Sequence, residues 1–199
     1  MNLSEKFDYM AKQVPYNDLD PLLVDARARS TKLTTELNSS NNNDEKKRIL
    51  SHLLGSSGVN PFFEPFFRCE FGCNIHIGDN FYANYDCVML DGAPINIGDN
   101  VLFGPKAGLY TSNHLIDAKE RRQGGCIAKP ISIGDDVWFG ANVTVMPGVT
   151  IGDRTIIGGG SVVTKNIPSD VIAVDNPCHV MRKITDEDRT GFDGTDKFG

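Results

Sequence analysis

His114 sits in Tyr110-Thr111-Ser112-Asn113-His114-Leu115, at the root of a polar stretch that runs from Thr111 to Lys129 and carries Lys119, Glu120, Arg121, Arg122, Gln123, Gly124 and Gly125. An imidazole that titrates near neutrality is the side chain best suited to take a proton from a weak nucleophile and give it back to a leaving group. A lone histidine is more often structural than catalytic, so the elements that position it have to decide. His52, His76 and His179 are too scattered to form the i, i+4 pair of a helical zinc site, and no metal site is expected. Cys69, Cys73, Cys87, Cys126 and Cys178 are an odd set without a Cys-x-x-Cys pair, which favours reduced, mostly buried thiols over disulfides.

Those elements come from a repeat. Ile-Gly-Asp recurs at 77–79, 97–99, 133–135 and 151–153, at spacings of 20, 36 and 18 residues. Between 133 and 168 six contiguous hexads open with Ile133, Phe139, Val145, Ile151, Ile157 and Val163. Period six fits neither a helix nor a simple strand, but it fits a short strand and a turn, three times per coil of a triangular solenoid. The opening aliphatic residue would point into the prism, and the Gly that commonly follows would give the backbone freedom at the corner. The stretch from Thr111 to Lys129 interrupts the repeat once, as a loop long enough to be functional.

Phe7, Met10, Ala11 and Val14 form one apolar helical face that stops at Pro15. Asp20-Pro21 reads as an N-cap followed by proline in the first turn, a polar loop covers Asn38 to Asn43, and a third helix spans Asp44 to Leu54, closed by Gly55. The expected organisation is a helical segment over 1–60, a β-solenoid over 61–184 with the loop 111–129, and a polar, frayed tail over 185–199. With 20 Lys and Arg against 26 Asp and Glu, the net charge of −6 provides no global field for nucleic acid or an anionic membrane. No run approaches the ~20 apolar residues of a membrane span, and no secretory signal opens the chain, so a cytoplasmic protein is expected.

The hexads from 77 to 168, the segment Tyr110-Thr111-Ser112-Asn113-His114-Leu115-Ile116-Asp117 and Asn176-Pro177-Cys178 together resemble the maltose and galactoside O-acetyltransferases of the hexapeptide-repeat superfamily. The resemblance covers nearly the whole chain. It implies a mainly β fold, a left-handed parallel β-helix with an N-terminal helical cap, assembled as a homotrimer with active sites between subunits. It also implies transfer of an acetyl group from acetyl-CoA, as co-substrate and without a metal, to a sugar hydroxyl. The segment Pro65-Phe66-Phe67-Arg68-Cys69-Glu70 favours maltose or glucose over a galactoside as the acceptor.

By the same resemblance His114 is the catalytic base and Asn84 steadies the oxyanion of the tetrahedral intermediate. Asn17, Glu70 and Asp91 match acceptor-binding positions, with Glu70 standing where relatives have Asp or Ser. Trp138, Ala141, Gly159, Thr164, Lys165 and Arg182 match positions along the CoA groove, the two cations meeting phosphates. His179 stands where the family often has Arg or Lys near CoA. Asp175 replaces a common Gly in a turn that Asp can still make. Two alternatives are an acetyltransferase for another small acceptor, such as an antibiotic or an amino acid, and a non-catalytic β-helix binding module. A γ-type carbonic anhydrase would need histidine ligands five residues apart, a spacing absent from this sequence.

Overall fold

The structure is a computed structural model that describes residues 1–194. Residues 195–199 of the expected tail lie outside the described residues. Helix α1 (Leu3–Met10) is capped by Asn2, whose side chain accepts from the Glu5 N–H while Glu5 reaches back to the Asn2 N–H. It ends before Val14, because the chain turns through a left-handed Gln13. Helix α2 (Pro21–Ser39) starts where expected, with the Asp20 carboxylate on the Leu22 N–H. Helix α3 (Asn43–Leu53) follows a connection of three residues and is capped by Asn42.

A left-handed parallel β-helix of about six turns follows. Its strands stack into three sheets, two of five strands and one of seven. Pairing between coils is parallel and in register, as in Ile75, Ile95 and Ile131, and the last strand of the seven-stranded sheet, His179–Lys183, folds back antiparallel on Val171–Val174. The residues that open the six hexads are all buried, and so are those at their fifth positions, Val137, Val143, Val149, Thr155, Ser161 and Ile167. Phe63, Phe81, Phe103 and Phe139 form a continuous aromatic column along the axis, with neighbouring centroids 4.4 to 5.3 Å apart. His76 points outward between buried Ile75 and Ile77 and meets the Ser56 hydroxyl at 2.9 Å, a structural role.

The corners differ from the expectation in one respect. The left-handed backbone is adopted by Asn60, Asn80, Asn100 and Asp136, with φ between 55 and 57°. These four also form a ladder, each Asn amide donating to the side-chain oxygen above it at 3.0 to 3.2 Å. The repeat glycines serve another purpose, close approach. A Cβ on Gly140 would lie 2.6 Å from the Gly159 backbone nitrogen, and one on Gly98 would lie 2.8 Å from the Gly134 carbonyl carbon.

The 111–129 stretch is not an irregular loop. Ser112–His114 and Gly125–Ala128 pair antiparallel as a hairpin closed by the short helix α4 (Ala118–Arg122). On its far side Gly125–Ala128 pairs with Tyr16–Asn17, so the hairpin is clamped against the N-terminal segment. At the other end of the chain, Arg182 and Asp188 close the turn that begins the tail.

Gly140→Ala tests the close-approach reading: with no room for the methyl between backbones, the variant should lose about 1–3 kcal/mol of stability in denaturant unfolding. A midpoint equal to that of the native protein would show that the coils can part freely.

Candidate active site

The clamp places three side chains in a row. Tyr16 is directly opposite Cys126, and Cys126 is directly opposite His114, so all three project from one face of the three-stranded sheet. Tyr16 and Cys126 are buried, while the His114 ring is exposed. The Cys126 sulfur lies 3.1 Å from His114 Nδ1. Met10, Leu23, Phe71, Ala93 and Ala128 pack with Tyr16 and Cys126 into a second core, separate from the prism. Residues from α1, α2 and two coils therefore fix the strand opposite His114. Burial pushes the Tyr16 phenol well above its usual range, so it remains a neutral donor, and it donates to Ser112 Oγ at 3.3 Å.

Asn17 lines a concavity of about 370 Å³ with Tyr16, Leu115 and Gly125. Its Oδ1 accepts from the Leu19 N–H, which leaves the amide nitrogen as its open side. Glu70 lies deeper. Arg27 bridges it to Asp18, with Arg27 Nε donating to Glu70 Oε1 at 3.0 Å and the guanidinium meeting the Asp18 carboxylate. Glu70 Oε2 is buried without a hydrogen-bond partner. Burial pushes the Glu70 carboxyl up to about 7, against the pull of Arg27.

Asp91 departs from its expected role as an acceptor ligand. It is fully buried, and its carboxylate accepts from the backbone N–H groups of Phe71 and Asn74 at 2.8 and 3.2 Å. The carboxylate thus organises the turn after Glu70 and offers no surface to a sugar. Asn84 is half-buried, with Oδ1 accepting from the Tyr85 N–H at 2.8 Å. That bond fixes the amide's orientation and leaves Nδ2 free to donate.

The expected CoA-side residues lie elsewhere on the prism. Trp138 is exposed on the seven-stranded sheet. Ala141 and Gly159 stack in adjacent coils, with the Gly160 N–H donating to the Ala141 carbonyl at 2.8 Å. Thr164, Lys165 and His179 line a cleft of about 550 Å³ with Asp175, Asn176 and Pro177. Asp175 does adopt the left-handed turn, at φ 86°. Arg182 is held by Asp188 through two bonds of 2.8 and 2.6 Å, and the pair pulls the Asp188 carboxyl down to about 2. Among the described residues no hydrogen bond or ion pair links this group to the one around His114.

Tyr16, Arg27 and Cys126 were missed from sequence. Arg27 belongs to an unremarkable Ala-Arg-Ala-Arg run, and the partnership of Cys126 with His114 requires the hairpin register, which no motif announces.

The family model described as "Maltose acetyltransferase hexapeptide capping motif" matches residues 9–58, and "Bacterial transferase hexapeptide (six repeats)" matches 130–165. A putative acetyltransferase of Saccharomyces cerevisiae is 47% identical over 173 residues, covering 86% of this chain and 88% of that protein. The crystal structure of a maltose O-acetyltransferase from Clostridium difficile superposes with a TM-score of 0.88 at 44% identity, covering 93% of this chain and 98% of that one. This chain belongs to the maltose and galactoside O-acetyltransferase family. A galactoside acetyltransferase in complex with coenzyme A gives a TM-score of 0.87 at 37% identity, covering 94% of each chain. As a member of this family the protein is an acetyltransferase. No helix among the described residues is long and apolar enough to cross a membrane.

Glu70 makes a testable contribution to stability. A carboxyl raised from 4.5 to about 7 binds its proton more tightly when folded, so its contribution is full below the unfolded value and is lost as pH rises through about 7. Glu70→Gln should remove that loss. Urea unfolding of both proteins at about pH 5 and about pH 8 should show the native form losing more stability than the variant between the two; parallel losses would place Glu70 in a solvated, ordinary state.

Proposed function

We propose that the protein transfers an acetyl group from acetyl-CoA to a hydroxyl of a maltose- or glucose-type sugar. The observation that carries this reading is the placement of an exposed His114 on a rigid, buried footing, beside a concavity rimmed by the open amide of Asn17. Sugars offer many hydroxyls and little apolar surface, so selectivity rests on a few fixed polar groups. Asn17 is such a group, while Glu70, its free oxygen buried, lies beneath the contact surface. Asp91 supports them from beneath, through the turn it organises.

His114 takes the proton from the acceptor hydroxyl as that oxygen attacks the thioester carbonyl. The free Nδ2 of Asn84 donates to the oxyanion that develops there. As the carbon–sulfur bond breaks, His114 returns the proton to the departing thiolate, and the products are the O-acetyl sugar and CoA. On the donor side, Lys165 meets phosphate, while the packed corner of Ala141 and Gly159 and the exposed Trp138 line the pantetheine path, with Thr164 at its edge. Arg182 joins them on exchanging Asp188 for a phosphate.

The acceptor and donor residues form two separate groups within one chain, which supports a homotrimer whose sites lie between subunits. Phe62, Tyr82, Leu102 and Trp138 form a register-aligned column on the outer surface of the seven-stranded sheet, with three of the four at least 44% exposed. A second copy of this chain is the natural cover for such a column. The free thiols, three of them buried, suit a reducing compartment such as the cytoplasm.

His114→Ala should leave folding and acetyl-CoA binding intact and lower kcat by roughly 100- to 10,000-fold; near-native turnover would remove His114 from the mechanism. Light scattering at assay concentration should give three times the 21.8 kDa of one chain, whereas the monomer mass would argue against shared sites.

A further inference from the structure

A base that works through one ring nitrogen needs its other nitrogen held, because the partner of the second nitrogen decides which one carries the proton. Carboxylates are the common holders; Glu120 lines the concavity but, among the described residues, makes no hydrogen bond to the ring, and two more lie near Cys126. Both are committed elsewhere: Asp18 and Glu70 share Arg27. His114 Nδ1 instead faces the sulfur of Cys126 at 3.1 Å, and among the described residues it has no other hydrogen-bond partner. The contact is not incidental to a flexible surface. Cys126 is the cross-strand partner of His114, is only 3% exposed and is fixed from behind by Tyr16 and the second core.

We propose that Cys126 is the positioning residue for His114: its sulfur accepts the Nδ1–H of the imidazole, fixing the ring's orientation and the tautomer whose Nε2 lone pair receives the acceptor's proton. This rests on the reading of His114 as the general base. The direction of the bond follows from that role, because a thiol donating to Nδ1 would leave the proton on Nε2 and block it. Sulfur is a weak acceptor; its value here is its immobility. Burial pushes the Cys126 thiol up to about 11, so it is a neutral partner at working pH. A neutral holder fixes the ring without placing a further negative charge beside Glu70 and Asp18. The contact uses a side chain that the acetyl-transfer steps themselves do not touch.

The test uses the full-length protein labelled with 15N-histidine, whose four histidines are separable by loss of one signal in His114→Ala. Above the titration of the ring, the native His114 signals should show a protonated Nδ1 and an unprotonated Nε2. Cys126→Ala should shift the population toward the Nε2–H form and lower kcat about 5- to 10-fold, the scale of one hydrogen bond, with the KM for acetyl-CoA unchanged. Cys126→Ser, which restores an acceptor on the same strand, should recover the native tautomer and most of the turnover. A native protein carrying the proton on Nε2 would overturn the proposal, and so would a Cys126→Ala protein with native tautomer and native kcat. If Cys126→Ala fails to fold, the native spectrum and Cys126→Ser still decide. If His114→Ala retains turnover, the general-base reading fails on its own, whatever the tautomer shows.

Discussion

Backbone-to-backbone stacking of successive coils is the constraint from which the rest of the molecule follows. Strands pair at about 4.8 Å, and at the prism corners that spacing leaves no volume for a Cβ between one coil and the next. Glycine at 98, 134 and 140 meets the steric demand, and Asn or Asp three residues beyond the strand meets the conformational one. Because every coil must match its neighbour, the chain can add residues only by leaving the stack and returning in register. It does so at 111–129: Ile97 pairs with Ile133 across 36 residues, as securely as Ile133 pairs with Ile151 across 18. The hairpin that bears His114 is thus an excursion from a frame it does not disturb.

An excursion of that kind needs its own support, and the N-terminal segment provides it. Tyr16–Asn17 adds a third strand to the hairpin, and α1 and α2 close a second core over the junction. The same helix α2 sends Arg27 down to Asp18 and Glu70. One packing arrangement therefore determines where His114 stands, what its Nδ1 faces and how the deep carboxylate is charged. The helical cap supports the candidate site, which gives a physical reason for the cap and the repeat to occur in one chain.

Much of this was legible in the sequence. The period of six named the prism, its opening residues are the core, and Asp20-Pro21 marks a helix start because capping is local chemistry; the Asn42 cap, inside what reads as a polar loop, emerged only with the structure. The corner glycines were read for flexibility when their role is clearance, a distinction that depends on the neighbouring coil. Asp91 was misread because its chemistry as a carboxylate suits a sugar equally well; only burial shows that its bonds go to the Phe71–Asn74 turn. Cys126 and Arg27 act through partners 12 and 43 residues away, and such pairs leave no spacing signature.

The most direct measurement is the fate of the acetyl group. Incubating the protein with acetyl-CoA labelled in the acetyl carbons, together with maltose, glucose and a galactoside, and weighing each sugar by mass spectrometry, should show the label as an O-acetyl ester on maltose or glucose in a stoichiometry matching the free CoA released. Release of CoA with every sugar unchanged, or label appearing only on an amine acceptor added in parallel, would contradict the assignment of a sugar hydroxyl as the nucleophile that His114 serves.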